Sequence, residues 1–167
     1  MSILRIFAVS ALFSLVTISA SAAKDLRLEE FFKGRTTATA SIKTITGFER
    51  NFSVKLHGKW NGKTLVLRED FLFEDGEKDT KTWRFTKRGW NTYTGTREDV
   101  IGETIVSVIG KKGYFNYLVD LEPGPGKNIV RFYDTLTLSD DGKILKNTAK
   151  VFKGPLQVGS VRVDFRR

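Results

Sequence analysis

The chain has no cysteine at all, which excludes disulfide bridges, thiol nucleophiles and cysteine-ligated metals. It also excludes a lipid attached through cysteine after the N-terminal apolar segment. Histidine occurs once, as His57, so neither a two-histidine metal site nor a Ser-His-Asp triad can be assembled, and no haem ligand is apparent. The sequence implies no cofactor, no metal and no catalytic constellation. It also lacks a block of like charge, an internal repeat, a low-complexity tract and a composition shift marking a second domain. No apolar run reaches the roughly 20 residues that a membrane-spanning helix needs.

What is present begins with a leader pattern. Arg5 precedes an apolar run from Ile6 to Ile18, and Ala20-Ser21-Ala22 follows. A basic start, a short apolar core and a small-residue site form the layout of a secretory signal. Cleavage after Ala22 would leave residues 23–167, a length suited to one domain with one core. Among the charged residues only Arg5 leaves with the segment, so 27 basic side chains remain against 19 acidic. That surplus favours anionic partners such as phospholipid headgroups. Nucleic acid is not expected, because an exported protein rarely meets it. A domain outside the cell without disulfides depends on its core, and 13 Phe, 3 Trp and 4 Tyr can supply one.

One helix is expected, over residues 26–33, capped by Asp25 and stopped by Gly34. Beyond it the apolar period is two, which is the period of a strand. Thr36, Ala38, Ala40 and Ile42 alternate with Thr37, Thr39, Ser41 and Lys43. Phe52, Val54 and Leu56 alternate with Ser53, Lys55 and the outward His57. Asn61-Gly62 is a strong hairpin signal, and Asp75-Gly76, Pro123-Gly124-Pro125-Gly126, Asp141-Gly142 and Gly154-Pro155 punctuate the rest. About ten strands joined by short turns point to an all-β domain. Consecutive hairpins favour an antiparallel up-and-down barrel of lipocalin type, closed so that no edge is exposed.

Three polar residues fall on faces that are otherwise apolar. Glu69 lies between Leu67 and Phe71, Asp134 between Phe132 and Leu136, and Asn147 between Leu145 and Ala149. An inward carboxylate is costly unless it is paired, hydrogen-bonded or wet. Arg97, in line with Tyr93, is the expected partner, since Arg131 has the opposite parity to Asp134. Two readings follow: a structural network that fixes strand register, or a polar anchor inside a ligand cavity. In the second, Leu67, Glu69, Phe71, Trp83, Phe85, Tyr93, Arg97, Asp134 and Asn147 line the cavity. Paired inward carboxylates also suit acid–base work, a third and weaker reading.

Several stretches together resemble a known family. They are Leu28-Glu29-Glu30-Phe31-Phe32-Lys33-Gly34, Trp60-Asn61-Gly62-Lys63-Thr64-Leu65 and Glu69-Asp70-Phe71. To these are added Trp83, Tyr93, Gly95, Asp99-Val100-Ile101-Gly102, Asp140-Asp141-Gly142 and Asn147. Their order is similar to that in a proteobacterial family of envelope proteins of unknown function, many of them lipoproteins. The resemblance implies a lipocalin-like barrel and brings no activity or catalytic residue. The chain departs from the lipoprotein members in lacking their cysteine, so a periplasmic protein without a lipid anchor is expected. The function expected is binding of a small apolar or amphipathic, lipid-like molecule. The alternative is a non-enzymatic envelope component with a filled barrel and a basic face toward lipid or protein.

Overall fold

A computed structural model describes residues 24–121 and 128–167. The expected leader, its cleavage site and the proline–glycine break at 123–126 lie outside the described residues. Among those described, one short helix, α1 (Leu28–Phe32), precedes eleven strands. They are β1 (Gly34–Thr44), β2 (Glu49–Trp60), β3 (Thr64–Phe73), β4 (Lys78–Lys87), β5 (Thr92–Thr96) and β6 (Val100–Ile101). β7 (Thr104–Ile109), β8 (Lys112–Asp120), β9 (Ile129–Leu138), β10 (Ile144–Lys153) and β11 (Leu156–Arg166) complete the set.

Each strand except β6 pairs antiparallel with its neighbours in the chain, and β1 pairs with β11 from Thr37↔Arg166 to Thr44↔Gly159. The result is a closed up-and-down ring of ten strands. The additional strand, β6, pairs with β8 at Val100↔Val119, further along β8 than the β7 pairing at Ser107↔Tyr114. β6 thus extends the line of β7 after a break. At the start of β7, beside that break, the Thr104 hydroxyl donates to the Asn116 carbonyl at 2.8 Å. Barrel diameter grows with strand number, and ten strands exceed the about eight of lipocalin-type barrels.

Local chemistry sets the register. In the β2–β3 turn Asn61 Oδ1 accepts from the Lys63 and Thr64 amides, at 3.0 and 2.7 Å. Gly62 there has φ +93°, a conformation that side-chain-bearing residues rarely adopt. The alternation then turns Val54 and Leu56 inward and leaves His57 exposed.

The helix is shorter than its sequence pattern suggests, and Asp25 does not cap it. The N-cap position is Arg27, without a side-chain cap, because the Leu26 amide is drawn to the Gly110 carbonyl at 2.8 Å. That bond ties the segment to the β7–β8 turn. α1 thereby seals one end of the ring, and Phe32 meets Phe165 edge-on at 5.2 Å. Of the best-buried side chains, Leu28, Leu65, Tyr93, Val106 and Leu145 lie at or near this end, while Val119 stands toward the other. Toward the other end, Phe52, Phe71, Phe132, Val158 and Val161 are only partly buried. The plug closes one end of the barrel, and the partly buried aromatics mark the space toward the other.

Gly58 sets how closely the plug approaches. A Cβ there would lie 1.9 Å from the Phe32 carbonyl oxygen. Gly58→Ala is expected to destabilise the fold by about 2 kcal/mol or more. Gly89→Ala, which meets nothing within 4 Å, is expected to stay within about 0.5 kcal/mol of the parent. Urea unfolding of the two variants checks both values.

Candidate functional site

A cavity of about 450 Å³ occupies the barrel. Leu28 and Phe32 of the plug form its floor, while Ile42, Thr44, Phe73, Leu121 and Val158 line it at the turn end of the strands. Aromatic rings make much of the wall. Trp83 stacks on Phe85 at 5.0 Å and meets Tyr117 edge-on at 5.2 Å. Tyr117 in turn stacks against Phe132 at 5.4 Å. These rings stand on alternating inward positions of β4, β8 and β9, as a period-two strand requires.

Within this apolar wall sits a cluster of charge. Arg97, just past β5, directs Nε and Nη2 to the two carboxylate oxygens of Asp99, at 2.6 and 3.2 Å. Its guanidinium lies over the Trp83 ring at 4.8 Å and the Tyr117 ring at 5.8 Å. Nη1 faces Glu69 Oε2 at 3.9 Å. Nearer the turns, Lys81 lies 3.3 Å from Asp79 and 3.8 Å from Asp99. Across the cavity Asp134 accepts a hydrogen bond from Asn147 Nδ2. β9 and β10 bring these two residues together one ladder step apart, through Asn147↔Leu136 and Ala149↔Asp134.

Burial governs the protonation of this cluster. It pushes Glu69 up to about 7, against the pull of Arg97 and with added push from Asp99, Glu98 and Asp134. It also takes Asp134 up to about 6, although Asn147, Tyr117 and Arg97 act in the opposite direction. Tyr117 is raised well above the usual phenol range, first by burial and then by Asp134. A carboxyl group that titrates near neutrality in a water-poor pocket can hold or release a proton.

Of the residues expected to line a cavity, Leu67, Glu69, Phe71, Trp83, Phe85, Arg97, Asp134 and Asn147 are in its wall. Tyr93 is not. It turns toward the sealed end, where its hydroxyl donates to Glu29 Oε2 at 2.5 Å and Lys87 pairs with Oε1. Burial works against charge on Glu29, but the bonds from Lys87 and Tyr93 prevail and hold its carboxyl below the usual range. This trio anchors α1, so its buried charge belongs to the plug. Arg131 points outward to Asn116 Oδ1 at 2.8 Å, as its parity demands.

Asp99, Phe115, Tyr117 and Phe132 also line the wall, beyond the residues expected from the sequence. For the three aromatics the signal was present, since they share parity with Val119 or Asp134. Asp99 sits in an acidic pair beside a turn, a context that reads as solvated; only the fold of the 97–103 connection turns it inward.

A family model described as a protein of unknown function, DUF3833, matches residues 8–167. The chain belongs to the DUF3833 family. None of the curated proteins matches it. Among solved structures, a protein of unknown function from the DUF3598 family of Nostoc punctiforme is similar at 13% identity and a TM-score of 0.59. The match covers 87% of this chain and 50% of that one, so the DUF3833 chain spans half the length of that protein. Rv2717c from M. tuberculosis is similar at 10% identity and a TM-score of 0.58, over 82% of this chain and 92% of that one. At such identities the likeness concerns the barrel fold alone.

The raised carboxyls give the DUF3833 barrel a defined pH response. Glu69 and Asp134 keep protons in the folded protein at pH values where the unfolded chain, near 4.5 and 3.8, has lost them. The folded state then binds more protons between about pH 4 and 7, so stability declines as pH rises through that interval. Glu69→Gln is expected to flatten the decline between pH 5 and 8 by an amount on the order of 2 kcal/mol. Urea midpoints of parent and variant across that range test this, and parallel curves would contradict it.

Proposed function

We propose that this DUF3833 barrel is a binding protein for a small molecule with an apolar body and one polar end. The observation that carries the reading is the cavity itself: about 450 Å³, floored by the plug and walled largely by aromatic and aliphatic side chains. Pockets with apolar walls and a few placed polar groups are the usual form of small-molecule sites, and barrel mouths are a frequent location. The apolar body lies against Phe71, Trp83, Phe115 and Phe132, and the polar end reaches Glu69, Asp134 and Asn147. On this reading the cluster is a ligand anchor, and any proton held by Glu69 adjusts binding instead of driving a reaction. The working compartment is the periplasm of a proteobacterium, supported by the leader pattern in residues 1–22 and by the resemblance described above.

Nile red, an uncharged dye whose emission shifts blue in apolar surroundings, tests the chamber directly. Parent protein is expected to bind it with a blue shift. Val161→Trp, which places a ring into the wall at a half-buried lining position, is expected to weaken binding at least about tenfold while the chain still unfolds cooperatively. Equal binding by the two proteins would place the dye outside the cavity and end the proposal.

A second reading concerns the outer surface and is compatible with the first. β9, β10 and β11 carry Arg131, Lys146, Lys150, Lys153, Arg162 and Arg166, against Asp164 as their one outward acid. A hollow on this face is lined by Arg131, Lys150 and Arg162 together with Tyr133 and Phe152, whose rings meet edge-on at 5.5 Å. Cations interleaved with aromatics suit an anionic lipid surface. Vesicles of phosphatidylglycerol are expected to retain the protein at low salt and to release it at 0.5 M salt, because exposed charge is screened. The double variant K150E/R162E is expected to bind several-fold more weakly. Retention indifferent to salt and to the double substitution would exclude this face.

A further inference from the structure

We propose that the polar end of the ligand is a cationic hydrogen-bond donor, a protonated amine carried on an apolar body. The inference rests on the cavity being a ligand chamber and adds to that reading the chemistry of what enters it.

The fully buried side-chain atoms left without partners in the cavity wall are acceptors. Asp134 is 4% exposed; one of its carboxylate oxygens takes the Asn147 amide and the Tyr117 hydroxyl lies near the carboxyl, yet Oδ2 has no partner within 3.5 Å. Oδ1 of Asn147 is also buried without a partner. Glu69 is 8% exposed and accepts no hydrogen bond among the described residues; its nearest cation is Arg97 at 3.9 Å. Buried acceptors of this kind are costly to leave unmet. Each would be met by N–H groups, and an ammonium offers three of them with no acceptor of its own.

The one guanidinium in the cluster is already shared among acids. One edge of Arg97, Nε with Nη2, is taken by Asp99, its faces lie against Trp83 and Tyr117, and Nη1 is turned toward Glu69 at 3.9 Å. Around it stand three carboxyl groups, Glu69, Asp99 and Asp134. Lys81, farther out, is already shared by Asp79 and Asp99. A carboxylate head entering here would compete with Asp99 and Glu69 for that one cation and add a further acid to three. A cation meets the opposite conditions. It also gains from the stacked rings of Phe115, Tyr117 and Phe132, since aromatic faces attract desolvated cations.

The experiment is displacement of Nile red from the full chain by three molecules with the same alkyl body: decylamine, decanol and decanoate. It is run at pH 8, below the concentration at which each aggregates. Decylamine is expected to displace the dye at a concentration about tenfold lower than decanoate, the scale of one charge-assisted hydrogen bond. Glu69→Gln and Asp134→Asn, each first shown to unfold cooperatively, are expected to narrow that gap by weakening decylamine more than decanol. Decanoate displacing as well as decylamine, with the dye still sensitive to Val161→Trp, would overturn the amine and leave the chamber standing. Failure of all three alkyl compounds to displace a dye that is itself insensitive to Val161→Trp would overturn both.

Discussion

The pairing of β1 with β11 joins the first strand to the last, and the rest of the molecule depends on that closure. A meander of ten strands without it would present two unpaired edges, each a template for another chain. With it, every inward side chain faces a shared interior, and the interior has only two ends. α1 covers one end, held by the Leu26–Gly110 bond and by the Glu29–Lys87–Tyr93 trio. Packing is tight against the plug. In the other half the wall is apolar but incompletely packed, and the cavity is the consequence.

Buried charge is divided between the two halves in different ways. At the sealed end Glu29 has a cation and a phenol in direct contact, and its carboxyl is held in the ionised form. In the cavity Glu69 and Asp134 have only partial compensation, and burial moves both toward neutrality. A structural network would be expected to close its hydrogen bonds, as the first group does. The second leaves acceptors open on the cavity side. That contrast, found within one chain and one core, supports a ligand role for the second group over a purely structural one.

Much of the architecture was legible because a period-two pattern fixes both the strand and its face. The inward placement of Glu69, Asp134 and Asn147 followed from their apolar neighbours, and the outward turn of Arg131 and His57 from their parity. Parity failed where a strand ended. Tyr93 and Arg97 share a face, yet they lie toward opposite ends of the interior, so one ties down the plug and the other reaches the cavity. Height along the barrel is set by the register of ten ladders together, and no single segment encodes it. Asp99 was obscured for a related reason, because the broken line of β6 and β7 turns it inward from what reads as a solvated loop. The helix was overextended because an amphipathic pattern does not disclose that Leu26 is held by a distant turn.

Native mass spectrometry on protein purified gently from its own cells tests most directly whether the proposed cavity ligand is there. A loaded barrel is expected to show a mass above that of the polypeptide, with the excess lost on organic extraction and recovered as an apolar molecule bearing an amine. A bare polypeptide mass under conditions that keep the barrel folded, from protein that also fails to bind Nile red, would contradict it.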